Sequence, residues 1–201
     1  MRSQSKPWYS VLVGQAGKAS GLVLWVCVFV IFALWIPDQF LAGSTFKAIA
    51  GGQAITAVLA IGLVFPLAAG QFDISAPQNL GFTCVLVGGL MTKAHLSAGA
   101  AVPIALATGC GVGAVNGFLV AVVGVSSVVA TLGMSSLTLA AAEWLANGMY
   151  FGPFPTGFTD ITSPHPAGIP IVAIYVVVLA IIAWALLEHS AWGRRLYATG
   201  A

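Results

Sequence analysis

The residues that could do chemistry are few and widely spaced. Asp73 stands in the stretch GQFDISAP (Gly70–Pro77), between two apolar runs, and Glu143 lies inside another such run. A carboxylate in such a place can carry a proton, ligate a metal, cap a helix or form a polar wall along a solute route. Proton relay and metal binding both call for a second carboxylate or an imidazole close by, and none accompanies Asp73 in sequence. His95, His165 and His189 fall in loops or near the ends of apolar runs, without metal-ligand spacing. Cys27, Cys84 and Cys110 each sit inside an apolar run with no C-x-x-C pair, which reads as three small hydrophobes and not as a disulfide framework. G-x-S-x-G, H-E-x-x-H and Walker A sequences are absent. The expectation is a chain with no catalytic residue, no metal and no cofactor, so any ATP hydrolysis must belong to another chain.

Two roles remain open for Asp73. Asp73 or Ser75 could accept hydrogen bonds from the first turn of a following helix, with Pro77 suited to that turn. Alternatively the stretch is a helix break tucked into the protein, shaping a translocation route. Glu143 reads either as an interface or packing residue or as part of a substrate path. Thr131 most often bonds to its own backbone, whereas Asn116 is suited to bridging helices; both are expected to serve as interhelical polar contacts.

These groups are set in a chain of 201 residues that is 59% hydrophobic and only 6% charged, with a mean hydropathy of +1.00. Soluble domains carry about a quarter of their residues as charges, so the solvent here is lipid. A formal net charge of +2, with no basic cluster larger than Arg194-Arg195, excludes nucleic acid as a partner. Six spans are predicted, at about residues 20–36, 48–69, 77–91, 98–123, 126–145 and 169–187. Arg2, Lys6 and Lys18 precede the first run, but no A-x-A cleavage site follows before Pro37, so that run is a retained helix and not a cleaved signal. Only Gly124-Val125 separates the fourth span from the fifth; one helix through both would reach about 70 Å, well beyond a bilayer, so two helices fit better. Six spans place both basic ends, Arg2/Lys6/Lys18 and Arg194/Arg195, on the cytoplasmic side, with Lys47 and Lys93 outside. The fold class expected is all-α: a polytopic transmembrane bundle with both termini cytoplasmic. Asn147–Gly168 becomes a structured or partly re-entrant external loop, too rich in proline and glycine to span. Gly109, Gly113 and Gly117 form consecutive G-x-x-x-G steps, read as close helix packing.

Three stretches carry a family resemblance: AIGLVFPLAAGQFDIS (Ala60–Ser75), VNGFLVAVVGVSSVVATLGMSSL (Val115–Leu137) and WGRRLYATG (Trp192–Gly200). The chain resembles the permease subunits of bacterial ATP-binding cassette importers of the ribose, xylose and related monosaccharide type. Asp73 and Ser75 match the acidic–hydrophobic–serine motif after a glycine turn. Asn116, Gly117, Thr131, Leu132 and Gly133 match the N-G and T-L-G segments. Gly193, Arg194, Tyr197, Ala198 and Gly200 match G-R-x-x-Y-A-x-G. Departures occur at Ala76-Pro77, where the family has V-G, at Ser126-Ser127, where it often has proline after the turn, and at Leu139, where an arginine is common.

The resemblance implies one permease domain over residues 1–201, the N-terminal part of a longer permease that continues into a cytoplasmic coupling helix and further spans; a truncated product or a half-length form would read the same way. It further implies an inner-membrane location and alternating access between two permease copies. Cytoplasmic ATPase subunits would drive the switch, and a periplasmic or lipid-anchored solute-binding protein would deliver cargo. Asp73, Ser75, Asn116, Thr131, Gly133 and Glu143 are the candidate path or structural-motif residues, and Arg194, Arg195 and Tyr197 the residues nearest the coupling segment. The rival expectation is a membrane scaffold or assembly partner with no transport path. A polar-lined route between the second and fifth spans would separate the two.

Overall fold

The structure is a computed structural model that describes residues 8–200, with side chains from residue 20 onward except Ala167. Arg2, Lys6 and the side chain of Lys18, which carry the N-terminal half of the orientation argument, lie outside what is described. The chain divides between Ile49 and Ala50 into two compact units. In the first, α1 (Trp8–Trp35) begins earlier than the predicted span. It gives way at Ile36 to α2 (Pro37–Phe40), whose proline suits a helix start. Phe40 folds back on α1, its ring 5.2 Å from Phe29 and 5.7 Å from Phe32, and Thr45 Oγ1 donates to Gln39 O over 2.6 Å. Helix α3 (Gly43–Gly52) carries the chain across the division.

The second unit holds α4 (Ala54–Ala68), α5 (Ala76–Thr92), α6 (Ala98–Ala121), α7 (Ser127–Ala146), the short α8 (Thr156–Thr159) with a 3-10 turn at Pro166–Gly168, α9 (Ile171–His189) and α10 (Ala191–Gly200). Its architecture follows from which helices can face lipid. Three of the described helices, α6, α7 and α9, are long and apolar enough to cross a membrane, and the pair α3 and α4, broken at Gln53, makes up to four. Helix α5 does not reach that standard: it is 17 residues long and carries Gln78, Asn79, Thr83 and Thr92. It is instead packed between α6 and α7, burying Gly88, Gly89 and Met91. A helix with this many amides and hydroxyls is stable at membrane depth only when neighbours satisfy them.

Gly124, at φ +81°, turns the chain between α6 and α7; a residue with a Cβ would be strained there. Helix α7 ends at Asn147 in the left-handed region, with Asn147 N bonded to Glu143 O at 2.8 Å. The segment from Asn147 to Gly168 contains no spanning helix. It is tied down at both ends. Phe151 lies against Gly88 and beneath the Lys93 ammonium, 5.1 Å from the ring centroid, while Tyr175 of α9 donates to Ile161 O over 3.0 Å. Helices α4, α9 and α10 form the other half of the unit.

Candidate functional site

Helix α4 carries Pro66 in its last turns and ends at Ala69; Gly70, at φ +70°, reverses the chain. Gln71 to Ile74 then run without helical bonds before α5 starts at Ala76 with Pro77 in its first turn. Backbone N–H groups outside a helix need partners away from water, and α7 supplies two. Phe72 N–H donates to Ser127 Oγ at 3.3 Å, and Ile74 N–H to Thr131 Oγ1 at 3.1 Å. The Thr131 hydroxyl in turn donates to Ser127 O at 2.7 Å, with Phe72 O also within reach at 3.4 Å. Thr131 thus bonds to its own helix and bridges to the segment at once.

On the other side stands α6. Asn116 Nδ2 donates to Ser75 Oγ at 2.8 Å, and Ser75 Oγ to Asp73 Oδ1 at 2.6 Å. A hydroxyl has one hydrogen, so the order is forced: the amide feeds the serine and the serine feeds the carboxylate. Asp73 Oδ1 also accepts the Ser75 N–H at 2.9 Å. This corrects the capping expectation. Ser75 occupies the N-cap position of α5 with an α-helical backbone and makes no capping bond, because its hydroxyl is committed across helices. Asp73 closes a local turn two residues ahead, a familiar use of aspartate outside helices. One turn further along α5, Asn79 Nδ2 donates to Gly109 O at 3.1 Å. The oxygens Asn79 Oδ1 and Asn116 Oδ1 are buried with no protein partner.

Two cavities meet at this junction, and Asp73 lines both. One, of about 280 Å³, is walled by Gln71, Asp73, Asn116, Ser127 and Thr131, with Gly113 and Gly117 forming its α6 side. The other, of about 310 Å³, lies between α5 and α6 along Asp73, Asn79, Thr83 and Gly109. The glycine series therefore divides. A Cβ at Gly109 would meet Thr83 Cγ2 at 3.1 Å, whereas Gly113 and Gly117 have no heavy atom within 4 Å of that position. Of these three only Gly109 packs closely against another helix; the other two leave room.

Asp73, Ser75, Asn116 and Thr131 come together, with Ser75 only 1% and Thr131 3% exposed. Gly133 and Glu143 do not join them. Gly133 is exposed on α7 with open space about it, and Glu143 is exposed near the C-terminal end of α7. Arg194, Arg195 and Tyr197 lie on α10, both arginines exposed. Tyr197 donates to Glu188 Oε1 at 3.2 Å, and its pKa is raised above the ordinary 10.0 by loss of solvent and by the Glu188 carboxylate. Asn79, Gln71 and Ser127 belong to the junction and were not singled out by sequence. Asn79, one helical turn after Ser75 and one turn before Thr83, is the signal that could have found the second cavity. Among the described residues no three histidine, cysteine or acidic side chains gather as a metal site would require.

Residues 45–201 match the family described as branched-chain amino acid transport system / permease component. The autoinducer 2 import system permease protein LsrC of Salmonella typhimurium is 32% identical over 187 residues, covering 91% of this chain and 52% of that protein. Its counterpart in Escherichia coli is 29% identical over 87% of the chain and 52% of its own length. The LsrD permease protein of the same kind of system in Yersinia enterocolitica is 28% identical over 71% of the chain and 45% of its own length. The chain spans about half the length of the curated relatives it matches. No solved structure matches it.

Proposed function

Because the chain belongs to the family of branched-chain amino acid transport system permease components, we propose that it is a membrane permease subunit of an ATP-binding cassette importer, moving a monosaccharide or a similar small polar solute across the cytoplasmic membrane. A permease component of this family carries no catalytic step itself. The observation that carries the proposal is the pair of cavities of about 280 and 310 Å³ that share Asp73 and are lined by amide, hydroxyl and carboxylate groups from three helices and the α4–α5 segment. A scaffold has no use for polar groups set into the mostly apolar walls of two open clefts, since each unpaired group is costly in lipid. A solute with several hydroxyls can bond the exposed polar atoms of the residues that line the two cavities.

In this reading α5 and the apolar part of α1 complete a six-span domain with both ends cytoplasmic, and residues 1–201 form the N-terminal part of a longer permease. Asp73, Ser75, Asn116 and Thr131 line or brace the path, and the face of α10 with Arg194 and Arg195 lies toward the cytoplasmic ATPase. A second permease copy, ATPase subunits and a solute-binding protein complete the machine. Relatives named for autoinducer 2 import add that solute to the panel worth testing. The experiment is uptake of labelled pentoses, hexoses and autoinducer 2 by cells expressing the full-length permease with its ATPase and binding protein. Asp73→Asn is expected to lower uptake roughly tenfold at unchanged membrane level, the scale of one lost charge-assisted hydrogen bond. Uptake of none of the panel by the unaltered protein, or full uptake with Asp73→Asn, counts against the reading.

A further inference from the structure

The α4–α5 segment is gripped at two points. Its far end is bonded to Ser127 and Thr131 of α7. Its near end is held by α10, and here the contact is backbone against backbone. A Cβ at Gly200 would lie 2.5 Å from Ala68 O, 2.7 Å from Ala69 C and 2.8 Å from Gly70 N, and a Cβ at Gly70 would lie 3.4 Å from Gly200 Cα. The nearest atoms on each side are all backbone, and Gly200, exposed at the end of α10, meets the segment without a flexible side chain to absorb a shift.

The rest of α10 is built to hold Gly200 there. The chain breaks at Ser190 into an extended conformation, and Ser190 Oγ accepts the Gly193 N–H at 3.0 Å. Gly193 is buried against the carbonyls of Leu186 and Leu187, where a side chain would clash. Trp192 packs on Phe65 of α4, ring centroids 5.7 Å apart, and Tyr197 bonds Glu188. Gly193, half-buried Leu196 and Gly200 are spaced three and four apart, so one face of α10 carries all three. The helix is thus a lever roughly 15 Å long, pivoting at Ser190 and touching the site segment at its tip.

We infer that α10 sets the position of the Gly70–Ser75 segment, so that movement of α10 at Gly200 is passed directly to the Asp73–Ser75–Asn116–Thr131 network. Arg194 and Arg195, exposed on the helix, remain free to be pulled or pushed. The inference concerns geometry within the chain and stands whether or not the protein transports a sugar.

Amide hydrogen exchange of the full chain in lipid nanodiscs, read by mass spectrometry, tests it. Gly200→Ala places a methyl against the Ala68–Gly70 backbone. It is expected to speed exchange of the amides of Phe72 and Ile74 roughly fivefold, the effect of weakening one buried hydrogen bond of ordinary strength. Thr131→Val, which removes the partner of Ile74 directly, sets the upper mark for that change. Ala198→Val, on the exposed side of α10, is expected to leave those amides alone. Faster exchange confined to residues 191–199 in Gly200→Ala, with Phe72 and Ile74 unchanged, would mean that α10 is only a packed tail, and would overturn the inference.

Discussion

Replacing Ser75 with alanine removes the middle link of the buried chain Asn116–Ser75–Asp73, and the structure gives the size of the effect. The side chain is 1% exposed, so water cannot step in. Two bonds go: the 2.8 Å bond from Asn116 Nδ2 and the 2.6 Å bond to Asp73 Oδ1. Interhelical hydrogen bonds in membrane proteins contribute on average about 0.6 kcal/mol, at most about 1.7. A buried donor left without a partner costs about 1–3 kcal/mol. Because Asp73 keeps the Ser75 N–H and is only half-buried, the orphaned Asn116 amide dominates, and about 2 kcal/mol is expected. Asn116→Leu removes the same interhelical bond but also removes Asn116 Oδ1, which is already buried without a partner. Its cost should be about 0.5 kcal/mol, and the open space beside Gly113 and Gly117 accommodates the larger side chain. The two changes touch one another, so they must not add: with both partners apolar, the double variant should be no less stable than Ser75→Ala alone. Reversible unfolding of the purified chain in mixed micelles, titrated with dodecyl sulfate and followed by circular dichroism, measures all three. Asn116→Leu costing as much as Ser75→Ala, with strict additivity in the double variant, would refute the directional chain.

Filling the space at α6 gives a separate test: Gly113→Leu should cut solute uptake by the full-length permease severalfold at normal membrane level, whereas Gly133→Ala, with nothing within 4 Å of the added atom, should change stability by less than about 0.5 kcal/mol and leave uptake intact. The raised pKa of Tyr197 means that the folded state prefers the neutral phenol. Stability from this group is complete below the unfolded pKa of about 10 and falls as pH climbs from there through the higher folded value. Tyr197→Phe should therefore flatten the alkaline end of a stability–pH profile while leaving the neutral region nearly unchanged; an identical alkaline decline in both proteins would show that the Glu188 contact does not persist in solution.

Some of this was legible from the residues and some was not, for physical reasons. Gly124 between two long apolar runs announced a turn, since length alone forbade one helix. Asp73 and Ser75 announced a break, and Asn116 a bridge, because polar groups in lipid must find partners. What they bond to could not be read: the same Asp-x-Ser-x-Pro pattern fits a helix cap, and only the position of Asn116 on α6 diverts the hydroxyl. Gly109, Gly113 and Gly117 look alike in sequence but differ in surroundings, because a glycine marks permission for close approach and not its occurrence. Helix α10 escaped notice for the opposite reason. Its closest contacts, at Gly193 and Gly200, are made by backbone and not by side chains, so the residues that fix its place carry no apolar side chain to mark them.

The polar seam along α5 also bears on how the protein is made. With 17 residues and Gln78, Asn79 and Thr83 among them, α5 is not among the helices long and apolar enough to span by themselves. The groups on α6 and α7 that bond to it and to the segment before it, Gly109 to Asn79, Asn116 to Ser75 and Thr131 to Ile74, are synthesised later. Helix α5 is therefore expected to integrate efficiently only when α6 and α7 accompany it. Chains released after Thr92 should integrate α5 poorly in a glycosylation-mapping assay, and chains released after Ala146 should integrate it well. On that outcome the α4–α5 segment, which takes its bonds from α6 and α7, is completed only after both have been made.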